Sequence, residues 1–288
     1  MKAFQFNFGT RAVLYGITVL VYLFVFVPLL FVIYASFDPN EIMSFPYKGF
    51  SLRWYKEFFA SPTLYLAAGN SFLLAALSGL SATLLGGLTA YSIARLTFRG
   101  KLVLQVAISA PMIISKIVLG VALLTFMVTL GLPRGLGSLV TLHTLLCLPF
   151  GFLVIWARLL TSGRDFEEAA VTLGADDIKT AFEVTIPLLG PALLGSFLLC
   201  VTVSFDEFSA TQFLVVPRTQ TMPIQIYSMI QTGVTPTVNV FATLLTLITV
   251  AIPLIAQIAF GAFRRTFVTK STRAERRRPD RSDEGSME

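Results

Sequence analysis

Between Arg11 and Asp38 the chain carries not one charged residue. A run of that length exceeds the roughly 20 apolar residues a helix needs to cross the hydrocarbon of a bilayer. The remainder of the chain keeps to the same pattern. It is 55% hydrophobic and only 13% charged, with a mean hydropathy of +0.76. A soluble protein of 288 residues must present a far more polar outside to water. Lipid is therefore the solvent for most of this chain, and the fold class expected is all-α.

Six apolar stretches read as spans, at about 12–35, 64–94, 102–130, 137–160, 188–212 and 238–263. Lys2 and Arg11 precede the first like the basic region of a signal peptide. The apolar run is too long for one and has no clear small-residue cleavage site, so it reads as a retained anchor. Basic residues set the orientation. Lys2 and Arg11 precede span one, Arg95, Arg99 and Lys101 lie between spans two and three, and Arg158, Arg164 and Lys179 lie around the segment between four and five. Arg264, Arg265, Lys270, Arg273, Arg276, Arg277, Arg278 and Arg281 follow span six. The opposite loops hold fewer, and the positive-inside rule puts both termini in the cytoplasm. The net charge of +6 is thus a membrane-surface feature beside anionic lipid and no sign of nucleic-acid binding. Cys147, Cys200 and the single histidine, His143, fall inside apolar runs. They suggest neither a disulfide framework nor a zinc site, and His143 reads as a hydrogen-bonded packing residue. Gly86 and Gly87 permit close helix approach.

One polar island interrupts the apolar chain on the cytoplasmic side. Phe166, Ala169, Ala170 and Leu173 follow helical spacing and give a short helix one apolar face. Asp165 is expected to cap it, with Glu168 three residues on completing a capping box, and Gly174 to end it in the left-handed conformation. Asp176 or Asp177 then caps a second short helix that Pro187 ends, giving a helix–turn–helix parallel to the membrane. The bland reading is a well-capped loop in which Glu168 does nothing else.

The spacing Glu168-Ala169-Ala170, three residues, Gly174, nine residues, Val184-Thr185-Ile186-Pro187 resembles the cytoplasmic signature of binding-protein-dependent ABC importer permeases. Val184 and Ile186 stand where that pattern has Ile and Leu. Asn70-Ser71, Phe98-Arg99-Gly100, Leu148-Pro149-Phe150, Ser204-Phe205-Asp206-Glu207 and Met222-Pro223-Ile224 extend the resemblance to the second permease subunit of spermidine/putrescine-type importers. The resemblance implies a type I ABC importer permease fold in a bacterial inner membrane. The organisation would be a cytoplasmic N-terminus at 1–11, a six-helix domain at 12–263 and a basic, disordered tail at 264–288. It also implies coupling helices at about 163–187 that dock on a separate ATPase, with Asp165, Glu168, Ala169, Ala170, Leu173, Gly174 and Pro187 the residues of that contact. A second permease subunit and an extracytoplasmic solute-binding protein would complete the machine. The chain has no phosphate-cradling G-x-x-x-x-G-K-[S/T] loop, so it binds no cofactor of its own, and ATP and Mg belong to the partner ATPase.

Ionisable groups at membrane depth are candidates for function. Lys116, about 22 Å along its helix from Lys101, and Asp206, about 24 Å from Gly190, reach similar depth. With Glu207 and Asn70 they form the candidate translocation path. In one reading Asp206 and Glu207 attract a cationic solute. In the other Lys116 pairs with Asp206 or Glu207, and Ser204 with Glu207 makes a capping box after a break in span five. In polyamine-type relatives the position of Lys116 tends to be acidic, which leaves room for an opine, an aminophosphonate or another zwitterionic or anionic cargo. Between spans five and six, Pro223 is expected to start a short helix that stops at Gly233. An ion-gradient-driven transporter is the alternative class, and it calls for a denser set of intramembrane acids than the sequence holds.

Overall fold

The computed structural model describes residues 8–40, 49–233 and 236–275, and no strand occurs among them. Five helices are long and apolar enough to cross a membrane, or six if one bent pair counts as a single span. The chain divides into two compact units, residues 1–70 with 220–248 and residues 71–219 with 249–288.

The first unit contains α1 (Phe8–Ala35), α2 (Arg53–Ala60), the start of α3 (Pro62–Arg95), α11 (Met222–Thr232) and the start of α12 (Pro236–Glu275). No residue in the most apolar stretch of α1 is buried. Amphipathic α2 turns Trp54 and Phe58 inward. The Trp54 indole N–H donates to the Asp38 carbonyl at 2.6 Å, and Phe58 meets the edge of Phe241 at 5.0 Å. Helix α11 carries Pro223 in its first turn and ends at Gly233, whose φ of +141° few other residues adopt, as its proline and glycine predict.

The second unit is built around α6 (Leu136–Thr161) and α9 (Ile186–Phe205), with the rest of α3 beside them. Leu139, Leu142, Phe152, Ile155 and Leu159 of α6 are buried. Lipid is as apolar as these side chains, so close backbone approach and polar contacts are what hold such helices together. A methyl group on Gly86 would fall 2.6 Å from the Phe152 nitrogen, and one on Gly151 would fall 2.7 Å from the Ala82 carbonyl oxygen. Cys147 and Cys200 are free thiols that bond reciprocally, each S–H facing the other's carbonyl at 3.3 and 3.5 Å.

Three sequence expectations change here. The third span is not continuous: α4 (Lys101–Ser109) and a 3-10 turn at Ala110–Met112 are bent by 105° from α5 (Lys116–Thr129). Pro111, in that turn, lacks the N–H that a continuing helix requires. The fifth span stops at Phe205, short of 212, and only the short α10 (Thr211–Leu214) follows. Finally, α12 continues to Glu275, so the first part of the expected tail is helical. The expected N-terminal residues 1–7 and tail residues 276–288 lie outside the described residues.

Replacing Gly86 with Ala should force α3 from α6 at a cost of about 1–3 kcal/mol. Gly195, on α9, has nothing within 4 Å of such a methyl group, and Gly195→Ala should leave stability level or slightly raised. Thermal unfolding of both variants in detergent checks the contrast.

Candidate functional site

The polar island folds as α7 (Asp165–Thr172) and α8 (Asp177–Thr180). Gly174 has φ of +91°, its N–H donates to the Val171 carbonyl, and the Ala175 N–H donates to that of Ala170. That pair of bonds closes α7 as a left-handed glycine stop, as its position predicts. The Asp176 carboxylate accepts the Lys179 N–H at 2.6 Å and caps α8. The N-terminus of α7 differs from expectation. Arg164 is the cap residue and its side chain makes no capping bond, and Asp165 lies inside the first turn, so no Asp165–Glu168 capping box forms. Pro187 does not end the second helix either. Asp177 to Phe205 is one helical rod, with a π-turn at Ala181–Thr185 leading into Pro187 in the first turn of α9. The wider ring of a π-turn absorbs a proline that an α-helix would not tolerate there.

The face that α7 turns inward is not its apolar one. Phe166 and Leu173 are exposed, Leu173 by 88%, as are Ala169 and Glu168. Glu167 and Ala170 are the half-buried pair. Glu167 Oε2 meets Arg95 Nε at 2.8 Å, and its Oε1 accepts the hydroxyl of buried Thr185 at 3.0 Å. Arg95 also donates to the carbonyls of Leu159 and Gly163, at 3.4 and 2.8 Å. Beside this cluster a groove of about 690 Å³ opens between Tyr91, Arg164, Glu168, Asp177 and Phe182.

A second polar centre stands where the third span breaks. Lys116 is the first residue of α5, at the positive end of a helix dipole, where a cation is disfavoured without a counter-charge. Glu207 supplies it: Lys116 Nζ lies 2.6 Å from Glu207 Oε2. The Glu207 side chain is 1% exposed and the Lys116 side chain 53%. The other Glu207 oxygen accepts the Ala210 N–H at 2.8 Å. Ser204 instead joins His143, so the Ser204–Glu207 capping box is absent. The Thr211 hydroxyl donates to the Glu207 carbonyl, so the His143 Nε2 facing it at 2.9 Å must be the donor. That leaves Nδ1 to accept from Ser204 at 2.8 Å, a tautomer assigned from the network. Ser78 faces Ser204 at 2.9 Å and closes the chain. His143 is thus the hydrogen-bonded packing residue its apolar setting predicts.

Residues 82–268 match the family described as binding-protein-dependent transport system inner membrane component. The chain belongs to this family. It is 32% identical to the spermidine/putrescine transport system permease protein PotC of Haemophilus influenzae over 83% of its length and 92% of that protein. It is also 32% identical to the putrescine transport system permease protein PotI of Escherichia coli (strain K12), over 80% of its length and 84% of that protein. Among solved structures, the crystal structure of a bacterial ABC transporter involved in the import of the acidic polysaccharide alginate shares the fold. Its TM-score is 0.70 at 17% identity, covering 88% of this chain and 96% of that one. The chain is therefore a transport subunit of the inner membrane.

Within this transport family member, the structure brings Lys116 and Glu207 together and leaves Asp206 exposed and outside the ion pair. Asn70 belongs to the first unit, where its amide donates to the Gln220 carbonyl at 2.9 Å. By sequence reasoning Arg95 has a role only in orientation, Thr185 is quoted only within the motif, and Glu167 is assigned none. The available signal was Arg95, a cation in the last turn of a span facing an acidic helix. No cluster of three or more metal-ligating side chains occurs among the described residues.

Lys116→Met orphans a buried carboxylate and should destabilise the protein by about 3 kcal/mol, the low end for such a loss because Lys116 is itself half exposed. Adding Glu207→Gln should restore most of that stability. Unfolding of the single and double variants in detergent measures the pair.

Proposed function

We propose that this chain is the membrane-spanning permease subunit of an ATP-driven ABC importer, with a small polar organic solute of the polyamine type as cargo. Both termini and the α7–α8 segment face the cytoplasm. There the segment docks on an ATPase subunit that holds ATP and Mg, while a second permease subunit completes the pore and an extracytoplasmic binding protein delivers the solute. ATP binding closes the ATPases, α7 and α8 move with them, and the pore changes the side to which it opens.

The observation that supports the docking is the outward apolar side of the polar island. Phe166, Leu173, Ile178 and Phe182 are each more than 60% exposed on a segment that also carries charged residues. An apolar patch of that kind marks an interaction surface. Identity of 31–32% to the PotC and PotI permeases over most of the chain supports the polyamine class. The test is co-purification: a tagged chain should retain ATPase subunits, and Leu173→Glu should cut that retention at least about tenfold, as burying a charge in an apolar contact does. Wild-type chain that brings down no ATPase would overturn the importer reading.

A second cargo class is favoured by one contact. The buried Glu207 carboxylate is already neutralised by Lys116, whose exposed side presents positive charge. This suits a solute bearing a negative group, such as an opine or an aminophosphonate. Lys116→Glu should then shift uptake toward putrescine and away from an aminoalkylphosphonate by about tenfold or more, the scale of one close charge reversal. Equal uptake of both in wild type and variant removes Lys116, and the Glu207 it pairs with, from the path.

A further inference from the structure

The two neighbouring carboxylates of α7 face different ways. Successive residues on a helix point about 100° apart. Glu168 is exposed, and its side chain makes no hydrogen bond or ion pair among the described residues. Glu167 is drawn inward and held at both oxygens, by Arg95 at 2.8 Å and Thr185 at 3.0 Å. Arg95 closes α3, Thr185 belongs to the π-turn that opens α9, and the carbonyls Arg95 also binds, Leu159 and Gly163, lie at and just beyond the end of α6. The last carbonyls of a helix have no partner within it, and a guanidinium is favoured at that negative end. One carboxylate and one guanidinium thus gather the ends of three spans onto a single short helix. Arg164 adds a strap, donating to the Ala94 carbonyl of α3 at 3.0 Å.

The main chain alone would not make α7 move with those spans. It is joined on one side through Gly163, at φ +65°, and on the other through Gly174, at φ +91°. Both are turns that glycine adopts without strain, and a helix between two such turns is free to swivel unless side chains hold it. The Arg95–Glu167 pair is well shielded, with the two side chains 11% and 18% exposed, so water screens it less than a surface pair.

We propose that Glu167 and Arg95 are the positioning residues that carry the movement of docked α7 into α3, α6 and α9, whereas Glu168 serves the contact with the ATPase. The inference rests on the importer reading above and names the intramolecular half of its coupling. Removing the ionic link while keeping the helix in place should leave docking intact and disconnect it from the spans.

Glu167→Gln is the test, since it keeps the shape and the bond from Thr185. The full complex, with its ATPase, sister permease and binding protein, is reconstituted in liposomes. The variant should retain the ATPase at the wild-type ratio and hydrolyse ATP at the basal rate. Stimulation of that hydrolysis by liganded binding protein, and ATP-driven uptake of radiolabelled putrescine, should each fall about tenfold, the scale of one coupling link. Glu168→Gln should instead weaken ATPase retention. Wild-type stimulation in Glu167→Gln, or loss of the ATPase from that variant, overturns the proposal. Where Glu167→Gln does not accumulate in membranes, Thr185→Val replaces it. Removing that one hydrogen bond should lower stimulation about threefold with assembly unchanged, and unaltered stimulation overturns the proposal. A wild-type chain that retains no ATPase removes the importer reading and the inference together. A wild-type complex that is stimulated alongside equally stimulated variants removes the inference alone.

Discussion

In a bilayer a leucine gains nothing by leaving lipid for another leucine, so the second unit depends on how near its backbones come. The contact between α3 and α6 is made where Gly86 lies against Phe152 and Gly151 against Ala82. At that distance dispersion between main chains replaces the hydrophobic effect as the cohesive force. The small hydroxyls and thiols nearby add directionality. Thr83 faces Ser196 at 3.3 Å, and the two cysteines bond to each other's carbonyls, so α6 and α9 also have a fixed rotation about their axes. The two polar centres described above are attached to this frame and inherit its geometry.

Both centres follow the same electrostatic logic. Each has one carboxylate whose two oxygens have separate partners, a cation for one and a neutral donor for the other. Glu207 has Lys116 and the Ala210 amide, and Glu167 has Arg95 and the Thr185 hydroxyl. A buried carboxylate satisfied on only one side would carry a large desolvation cost. Division of the two oxygens also fixes direction, because the carboxylate cannot rotate without losing one partner. These are joints with a defined angle, which a lone ion pair is not.

What the sequence disclosed divides along physical lines. The uncharged run before Asp38 and the spacing from Glu168 to Pro187 identified spans and family, because length, hydropathy and motif spacing are properties of the chain in one dimension. The break after Pro111 was harder to see, since Ile113 and Ile114 keep the stretch apolar while the backbone turns by 105°. Hydropathy measures solvent preference and is blind to direction. The face of α7 shows a related limit. Phe166, Ala169 and Leu173 mark an apolar side correctly, but the rule that such a side points inward presumes the chain supplies its own cover. Here Glu167 turns inward in its place, and only the approach of Arg95 from a distant part of the sequence distinguishes it from Glu168.

The π-turn at Ala181–Thr185 decides how α8 is aimed relative to the two centres. Asp177 to Phe205 is one rod, about 43 Å long at the rise of an α-helix. Thr185 near one end reaches Glu167, and Ser204 at the other reaches His143. Along a regular helix the angle between two side chains is dictated by the number of residues separating them. A π-turn fits one more residue into its ring and so offsets everything beyond it by about 100°. Thr185 closes the π-turn and Ser204 follows along regular α-helix, so the offset falls between that pair and α8. The extra residue therefore sets how α8, with its exposed Ile178, is turned relative to the helix face that carries Thr185 and Ser204.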